Sequence, residues 1–351
     1  MKSISVHAER SYEVIIGCDW KSEVLKTAQG RSRVAVIYST TMRDAIRFDA
    51  DVDAEFHFFE VSDGESAKSI ATLSSVWNWL GAAGFTRSDL IIGIGGGAVT
   101  DLAGFAASTW LRGIDWIAVP TSVAGMVDAS VGGKTGINSD YGKNLIGAFY
   151  SPLTVIIDIA WLNTLSDRDF AAGLAEVIKC GFISDTEILN LLDGRSLQTV
   201  RVDSDVVIDL ISRSVQVKAD VVSSDFKESF AREVLNYGHT LGHAIEIHAK
   251  YSMRHGEAIS IGLVYAAELA HARGLIDSQI VAQHRRLLSE LGLPIDYPAS
   301  AWPALWPLLA LDKKSRGSQL RFVVLNALGQ TIRLEDLNES ELRSAYERIS
   351  S

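Results

Sequence analysis

The chain has only two cysteines, Cys18 and Cys180, in 351 residues. That excludes a disulfide-stapled scaffold, which needs several cysteines in a short sequence. It also makes a reducing cytoplasm the expected compartment. Long apolar runs are missing. The longest stretch without Asp, Glu, Lys, Arg or His, 69–86, has 18 residues and is dotted with Ser, Thr and Asn; the next, 297–311, has 15. The first is too polar and the second too short to cross a bilayer, and the second is broken by Pro298, Pro303 and Pro307, so no membrane span is expected. The opening MKSISVHAERSYEVIIG lacks a basic region followed by an apolar core, so no secretory signal is expected. Positive charge is not in excess: the net charge is −10, which argues against a general nucleic-acid binder. The marks of disorder are absent too, since 47% of residues are hydrophobic and 22% charged. The length suits about two domains.

The first half alternates strand and helix signals. SISVHAERSYEVIIG reads as one or two paired strands, and RVAVIY (33–38), AEFHFFEV (54–61), DLIIGIG (89–95), DWIAV (115–119) and TVII (154–157) as further strands. Helical spacing runs from Ser66 to Leu80 and again over Asp101–Leu111. This predicts an α/β domain over 1–165 with a mostly parallel sheet. From about 165 onward the periodicity is helical, over 167–182, 185–192, 204–221, 233–250, 257–274 and 278–291. A strand signal returns only at QLRFVVL (319–325). Residues 166–351 are therefore expected to form a mainly α-helical domain.

Three constellations carry chemistry. IIGIGGGAVTDLAGF is a strand, a glycine turn and a helix start, where backbone N–H groups can meet a phosphate. Gly93, Gly95 and Ala98 fit the dinucleotide fingerprint loosely, and a tight turn without ligand fits as well. Asp101 suits either a cofactor hydroxyl or a first-turn acid facing the helix dipole. Four of the eight histidines, His239, His243, His248 and His255, fall within residues 239–255. His239 and His243 share a helical face, and two histidines with a distant carboxylate would make an open zinc site. A buried helix with hydrogen-bonded histidines fits the same pattern. Glu176 and Lys179 in GLAEVIK face one side of an apolar helix. Finally, VDASVGGKTGIN, GKNLIGAFY, SVQVKADVV and KESFAREVLN set basic residues into small or apolar surroundings. In an acidic protein that suggests a local anion pocket. Glu228, Arg232 and Asn236 fall on one helical face, which His239 and His243 continue.

The segments GGGAVTDLAGFAASTWLRG, DASVGGKTGIN, GKNLIGAFY, GLAEVIK, NYGHTLGHAIE, RHGEA and DKK occur in this order. Together, over about 60–325, they resemble the 3-dehydroquinate synthase family, the second enzyme of the shikimate pathway. The resemblance implies an NAD-binding α/β domain joined to an α-helical metal-binding domain, and an active site in the cleft between them. It implies the metal ligands Glu176, His239 and His255 for Zn2+ or Co2+, one divalent ion per subunit. Glu65, Lys68, Gly96, Gly97, Ala98, Asp101, Thr121, Ser122, Lys143 and Thr164 would contact NAD. Asp128, Lys134, Lys179, Glu228 and His243 would serve catalysis. Asn144, Lys218, Arg232 and Asn236 would hold the sugar phosphate, and Lys313 or Lys314 its phosphate. Arg112 would reach the neighbouring subunit's phosphate site in a homodimer. The sequence departs from the family at the STTM turn, at PTSVAGM and at Cys180, none of which removes an implied ligand. Implied alternatives are a cyclase acting on sedoheptulose 7-phosphate or making an aminodehydroquinate. A polyol dehydrogenase and a non-catalytic, metal-stabilised scaffold lie further off.

Overall fold

The computed structural model describes residues 1–46, 53–227, 231–315 and 320–351, with the side chains of 310–315 outside the description. The chain divides into two compact units. One is residues 1–165 with 218–227, the other 166–217 with 228–351.

The first unit is built on a seven-stranded sheet. Its strands are β1 (Lys2–Val6), β2 (Tyr12–Ile16), β3 (Arg33–Ser39), β4 (Glu55–Val61), β5 (Leu90–Gly95), β6 (Asp115–Pro120) and β9 (Thr154–Ile157). The order is β1-β2-β9-β6-β5-β3-β4, antiparallel only where β1 meets β2. Strand β5, LIIGIG, is buried at every position, as an apolar run in a sheet covered on both faces should be. Three helices accompany the sheet: α1 (Trp20–Ala28), α2 (Ile70–Ala82) and α3 (Gly97–Thr109).

Helix α3 starts at Gly97, directly at the glycine turn, four residues before the expected Asp101. Asp101 therefore lies in the second turn and is not a first-turn acid. Strand and helix can be this close because Gly93 has no side chain: a Cβ there would lie 2.7 Å from Ala103 Cβ. A second small sheet was not expected. Strands β7 (Lys134–Ser139) and β8 (Gly142–Phe149) form an antiparallel hairpin out of DASVGGKTGIN and GKNLIGAFY. Their glycines and exposed β8 face hide the period-2 pattern by which strands are read.

In the second unit the helices are α4 (Asp167–Ile183), α5 (Glu187–Leu192), α6 (Leu197–Val202), α7 (Ser204–Ser224, whose end belongs to the first unit), α8 (His239–His248), α9 (His255–Ala272), α10 (Ser278–Glu290), α11 (Trp302–Ser315) and α12 (Glu339–Glu347). Strands β10 (Phe322–Ala327) and β11 (Gln330–Leu334) form a hairpin. Helix α9 is central, buried from Ala258 to Ala270 and packed by α4, α8, α10, α12 and β10. The helix expected over 233–250 is two pieces. A 3-10 segment (Ala231–Asn236) ends before Gly238, which at φ 80° turns the chain into α8. Arg232 and Asn236 therefore do not share one continuous helical face with His239 and His243. No described helix is long and apolar enough to cross a membrane.

Candidate functional site

The second unit brings together a carboxylate and two imidazoles from three helices. Helix α4 is capped by the Ser166 side chain, which accepts from Asp169 N, and is buried from Phe170 onward. It carries Glu176 inward, 1% exposed. Helix α8 opens on His239, and α9 opens on His255. The backbone N–H of Arg254 donates to Glu257 at 2.9 Å, which fixes the start of α9. His255 Nε2 lies 3.2 Å and His239 Nε2 3.5 Å from the same oxygen of Glu176. Bonds of about 2.0–2.2 Å to a tetrahedral ion place its ligands about 3.3–3.6 Å apart, so the spacing suits a shared cation.

The hydrogen bonds sharpen this. His239 Nδ1 is 3.0 Å from the Tyr237 carbonyl, which can only accept, so Nδ1 holds the proton. His255 Nδ1 is likewise 3.0 Å from Glu246. In the neutral rings both Nε2 atoms are then lone pairs aimed at a carboxylate. Acceptors facing an acceptor need a proton or a cation between them. Burial, with Lys179 nearby, keeps the His239 imidazole below its usual range. Burial opposes charge on His255 as well, but the hydrogen bonds to Glu176 and Glu246 outweigh it and draw that ring up to about 10. Burial alone would raise the Glu176 carboxyl; Lys179 and the two imidazoles hold it well below the usual carboxylate range. Lys179 Nζ is 2.5 Å from Glu176 Oε2 with both side chains at most 3% exposed, so this pair is buried rather than on the surface.

Glu246 was missed in the sequence. It lies seven residues after His239 in a helix with many buried apolar neighbours, and only the tertiary packing sets it against His255. A second group, His243, Glu246 and His255, also has ligand atoms within 4.8 Å of one another. There Glu246 already serves as the His255 acceptor and His243 is exposed, so Glu176, His239 and His255 form the better cation site. His243 lies beside it, its ring 5.3 Å from that of His239.

Two polar clusters stand in the first unit. Lys68 is 3% exposed; its Nζ donates to Asp101 Oδ2 at 2.6 Å and to the Asn144 side-chain oxygen, with Glu65 at 3.9 Å. Asn138 links Glu65, at 2.7 Å, to the Asn144 backbone, at 2.9 Å. Asn144 holds a left-handed φ of 58°, strained for a strand residue. Burial pushes the Asp101 carboxyl up to about 6 against the pull of Lys68. In the other cluster Lys218 Nζ lies 2.5 Å from Asp128 Oδ1 and also meets the Asp128 carbonyl. The glycine turn Gly96–Gly97–Ala98 leads into α3 with no side chain capping the helix, next to Ser122 and Ala129. Thr121 follows β6 and hydrogen-bonds to the Gly95 carbonyl.

Lys134 is exposed at the start of β7, and Lys143 lies on β8. The Thr164 hydroxyl donates to the Trp161 carbonyl. Arg112 is exposed in a turn where Leu111 and Arg112 both have positive φ, 49° and 66°. Arg232 is buried, and the Nδ2 of Asn236 is buried without a hydrogen-bond partner among the described residues. Glu228 falls outside the described residues. Lys313 and Lys314 fall in the last turn of α11, where side chains are not described.

Residues 58–172 match the family model 3-dehydroquinate synthase N-terminal, and 173–315 match 3-dehydroquinate synthase C-terminal. The 3-dehydroquinate synthase of Thermobifida fusca (strain YX) is 49% identical over 97% of this chain and 94% of its own length. That of Mycolicibacterium vanbaalenii is 45% identical over 99% and 98%. Among solved structures, ValA (2-epi-5-epi-valiolone synthase) from Streptomyces hygroscopicus subsp. jinggangensis 5008, with NAD+ and Zn2+ bound, superposes with a TM-score of 0.90. It is 28% identical and covers 99% of this chain and 98% of its own. With both halves matched and nearly the full length shared at close to half identity, the chain belongs to the 3-dehydroquinate synthase family.

Proposed function

We propose that the chain converts 3-deoxy-D-arabino-heptulosonate 7-phosphate to 3-dehydroquinate and phosphate, as an NAD- and metal-dependent carbon–oxygen lyase of the shikimate pathway. The observation that carries this is the convergence of His239 Nε2 and His255 Nε2 on one buried Glu176 oxygen in a member of this family.

NAD, when bound, would supply reversible hydride transfer for substrate C5, leaving the overall reaction redox-neutral. A divalent ion, Zn2+ or Co2+, would supply Lewis acidity toward the substrate's hydroxyls. Glu176, His239 and His255 would hold the ion. The glycine turn Gly96–Gly97–Ala98 and the N-terminus of α3 would bind the cofactor's phosphates through backbone N–H groups. Glu65, Lys68, Asp101, Thr121, Ser122, Lys143 and Thr164 complete its site, with Asp101 accepting from a cofactor hydroxyl. Lys218, Arg232 and Asn236 suit the substrate carboxylate; the Asn236 amide nitrogen, without a hydrogen-bond partner among the described residues, supports a ligand there. Lys313 or Lys314, together with Arg112 donated across a homodimer, suits the phosphate. Asp128, Lys134, Asn144, Lys179 and Glu228 orient the sugar ring, and His243 moves a proton at its hydroxyls. A ketone at C5 acidifies the C6 proton, so phosphate leaves by β-elimination. After the C5 hydroxyl is restored, the ring opens and an intramolecular aldol step closes the carbocycle. A cytoplasmic location suits this metabolism.

Phosphate release from the heptulosonate phosphate tests the reading, with chelated protein, NAD and Zn2+ or Co2+ added back singly and together. Release that needs both, with no NADH build-up, supports it. Release only from sedoheptulose 7-phosphate would transfer the chain to a sister cyclase, and accumulating NADH would make it a dehydrogenase.

A further inference from the structure

A fully buried tyrosine–histidine pair lies behind the metal site. His284 Nδ1 is 2.7 Å from the Ile280 carbonyl, so Nδ1 carries the ring proton. Nε2 is then bare and accepts from the Tyr237 hydroxyl at 2.8 Å. Both side chains are 0% exposed. Burial pushes the His284 imidazole down to about 3, which keeps it a neutral acceptor. Its ring stacks on Phe182 with centroids 3.4 Å apart and planes 8° apart. Phe182 lies on α4, the helix that carries Glu176.

Stability alone gives little reason for such a pair. Replacing both partners of a buried hydrogen bond by apolar groups of similar shape can be nearly neutral. Its position supplies a reason. The carbonyl of the same Tyr237 accepts from His239 Nδ1. Between them Gly238, at φ 80°, folds the chain so that carbonyl and ring meet. A side chain at Gly238 would collide with the Leu263 backbone nitrogen at 2.9 Å, so the turn is tightly held.

We propose that the Tyr237–His284 hydrogen bond positions the metal ligand His239. Clamped at its hydroxyl end, Tyr237 holds its own peptide plane. That carbonyl sets the His239 tautomer and ring rotation, which keeps Nε2 on Glu176. The clamp reaches α4 through the stack on Phe182, so one contact ties two ligand-bearing elements together. Tyr237 and His284 are positioning residues and touch neither substrate nor metal. The inference rests on the metal reading above.

The test is the zinc dissociation constant of the full chain, by chelator competition, with the visible spectrum of the Co2+ form and the melting temperature. Tyr237→Phe keeps the ring and removes only the donor. Zinc binding is expected to weaken about tenfold, the lower end of the effect of outer-shell partners, with shifted Co2+ bands. Tyr265→Phe is the control: its buried hydroxyl donates to the Leu342 carbonyl at 3.1 Å, away from the ligands. It should lower the melting temperature and leave zinc affinity and spectrum as they were. If Tyr237→Phe does not fold, the double variant Tyr237→Phe/His284→Phe leaves no lone polar group and must show the same weakening. Wild-type affinity and spectrum in the folded Tyr237 variant overturn the proposal. His239→Ala separates the two failures: wild-type zinc affinity there overturns the metal reading itself.

Discussion

His255 Nδ1 lies 3.0 Å from a carboxylate oxygen of Glu246, itself 5% exposed, on the neighbouring helix. The contact gives the ring an anionic partner on the side away from Glu176. An outer-shell carboxylate of this kind raises the basicity of the ligating nitrogen and fixes its tautomer. Glu246→Gln keeps an acceptor and removes the charge; Glu246→Ala removes both. Zinc affinity should fall by roughly 10–100-fold in the alanine variant and less in the glutamine variant. Equal affinity in all three proteins, read by chelator competition, would deny Glu246 any part in holding the ligand.

Gly256 follows His255 and lies against α4. A Cβ there would fall inside the Ala172 carbonyl oxygen. Gly256→Ala must push the start of α9 off α4, separating His255 from Glu176. Overpacking of this kind costs about 1–3 kcal/mol or more. The melting temperature should fall, and zinc affinity with it. A variant as stable as wild type would show that the two helices have slack.

Asp101 gives the pH dependence. Its carboxyl sits at about 6 because burial outweighs Lys68, with Glu65 and Asp128 adding like charge. Above that pH it is ionised and, in the proposed cofactor site, would accept from a cofactor hydroxyl; below it the acid form would do so poorly. NAD affinity, measured by calorimetry, should weaken as pH falls through about 6. Asp101→Asn should bind more weakly above that pH and lose this dependence. A wild-type affinity flat across the window would remove Asp101 from the cofactor site.

Arg112 projects from a turn of two consecutive left-handed residues. Such strain persists where the surroundings hold it, often at functional positions. Arg112→Ala should raise KM for the phosphate substrate and leave NAD binding close to normal. Unchanged steady-state kinetics would end the shared phosphate-site idea.

Much of the architecture was legible along the chain. Strands β3, β5, β6 and β9 are short apolar runs, and α4, α9 and α10 show clear helical spacing, because burial on defined faces leaves a periodic trace. The break at Gly238 was not legible, since helical spacing runs on through 233–250. The β7–β8 hairpin escaped because its glycines and exposed face leave no alternation.

By itself the sequence determined the two textures, the glycine turn and the order of motifs that marks the family, since these depend on local residue types and spacing. Only the tertiary structure decided which groups meet. Glu176, His239 and His255 lie up to 79 residues apart in sequence, and their meeting depends on close helix packing at Gly256 and Gly262. The partners of each imidazole nitrogen, Tyr237, Glu246 and, one step further, His284, follow from that packing. No local pattern encodes a hydrogen bond between residues that only folding brings together.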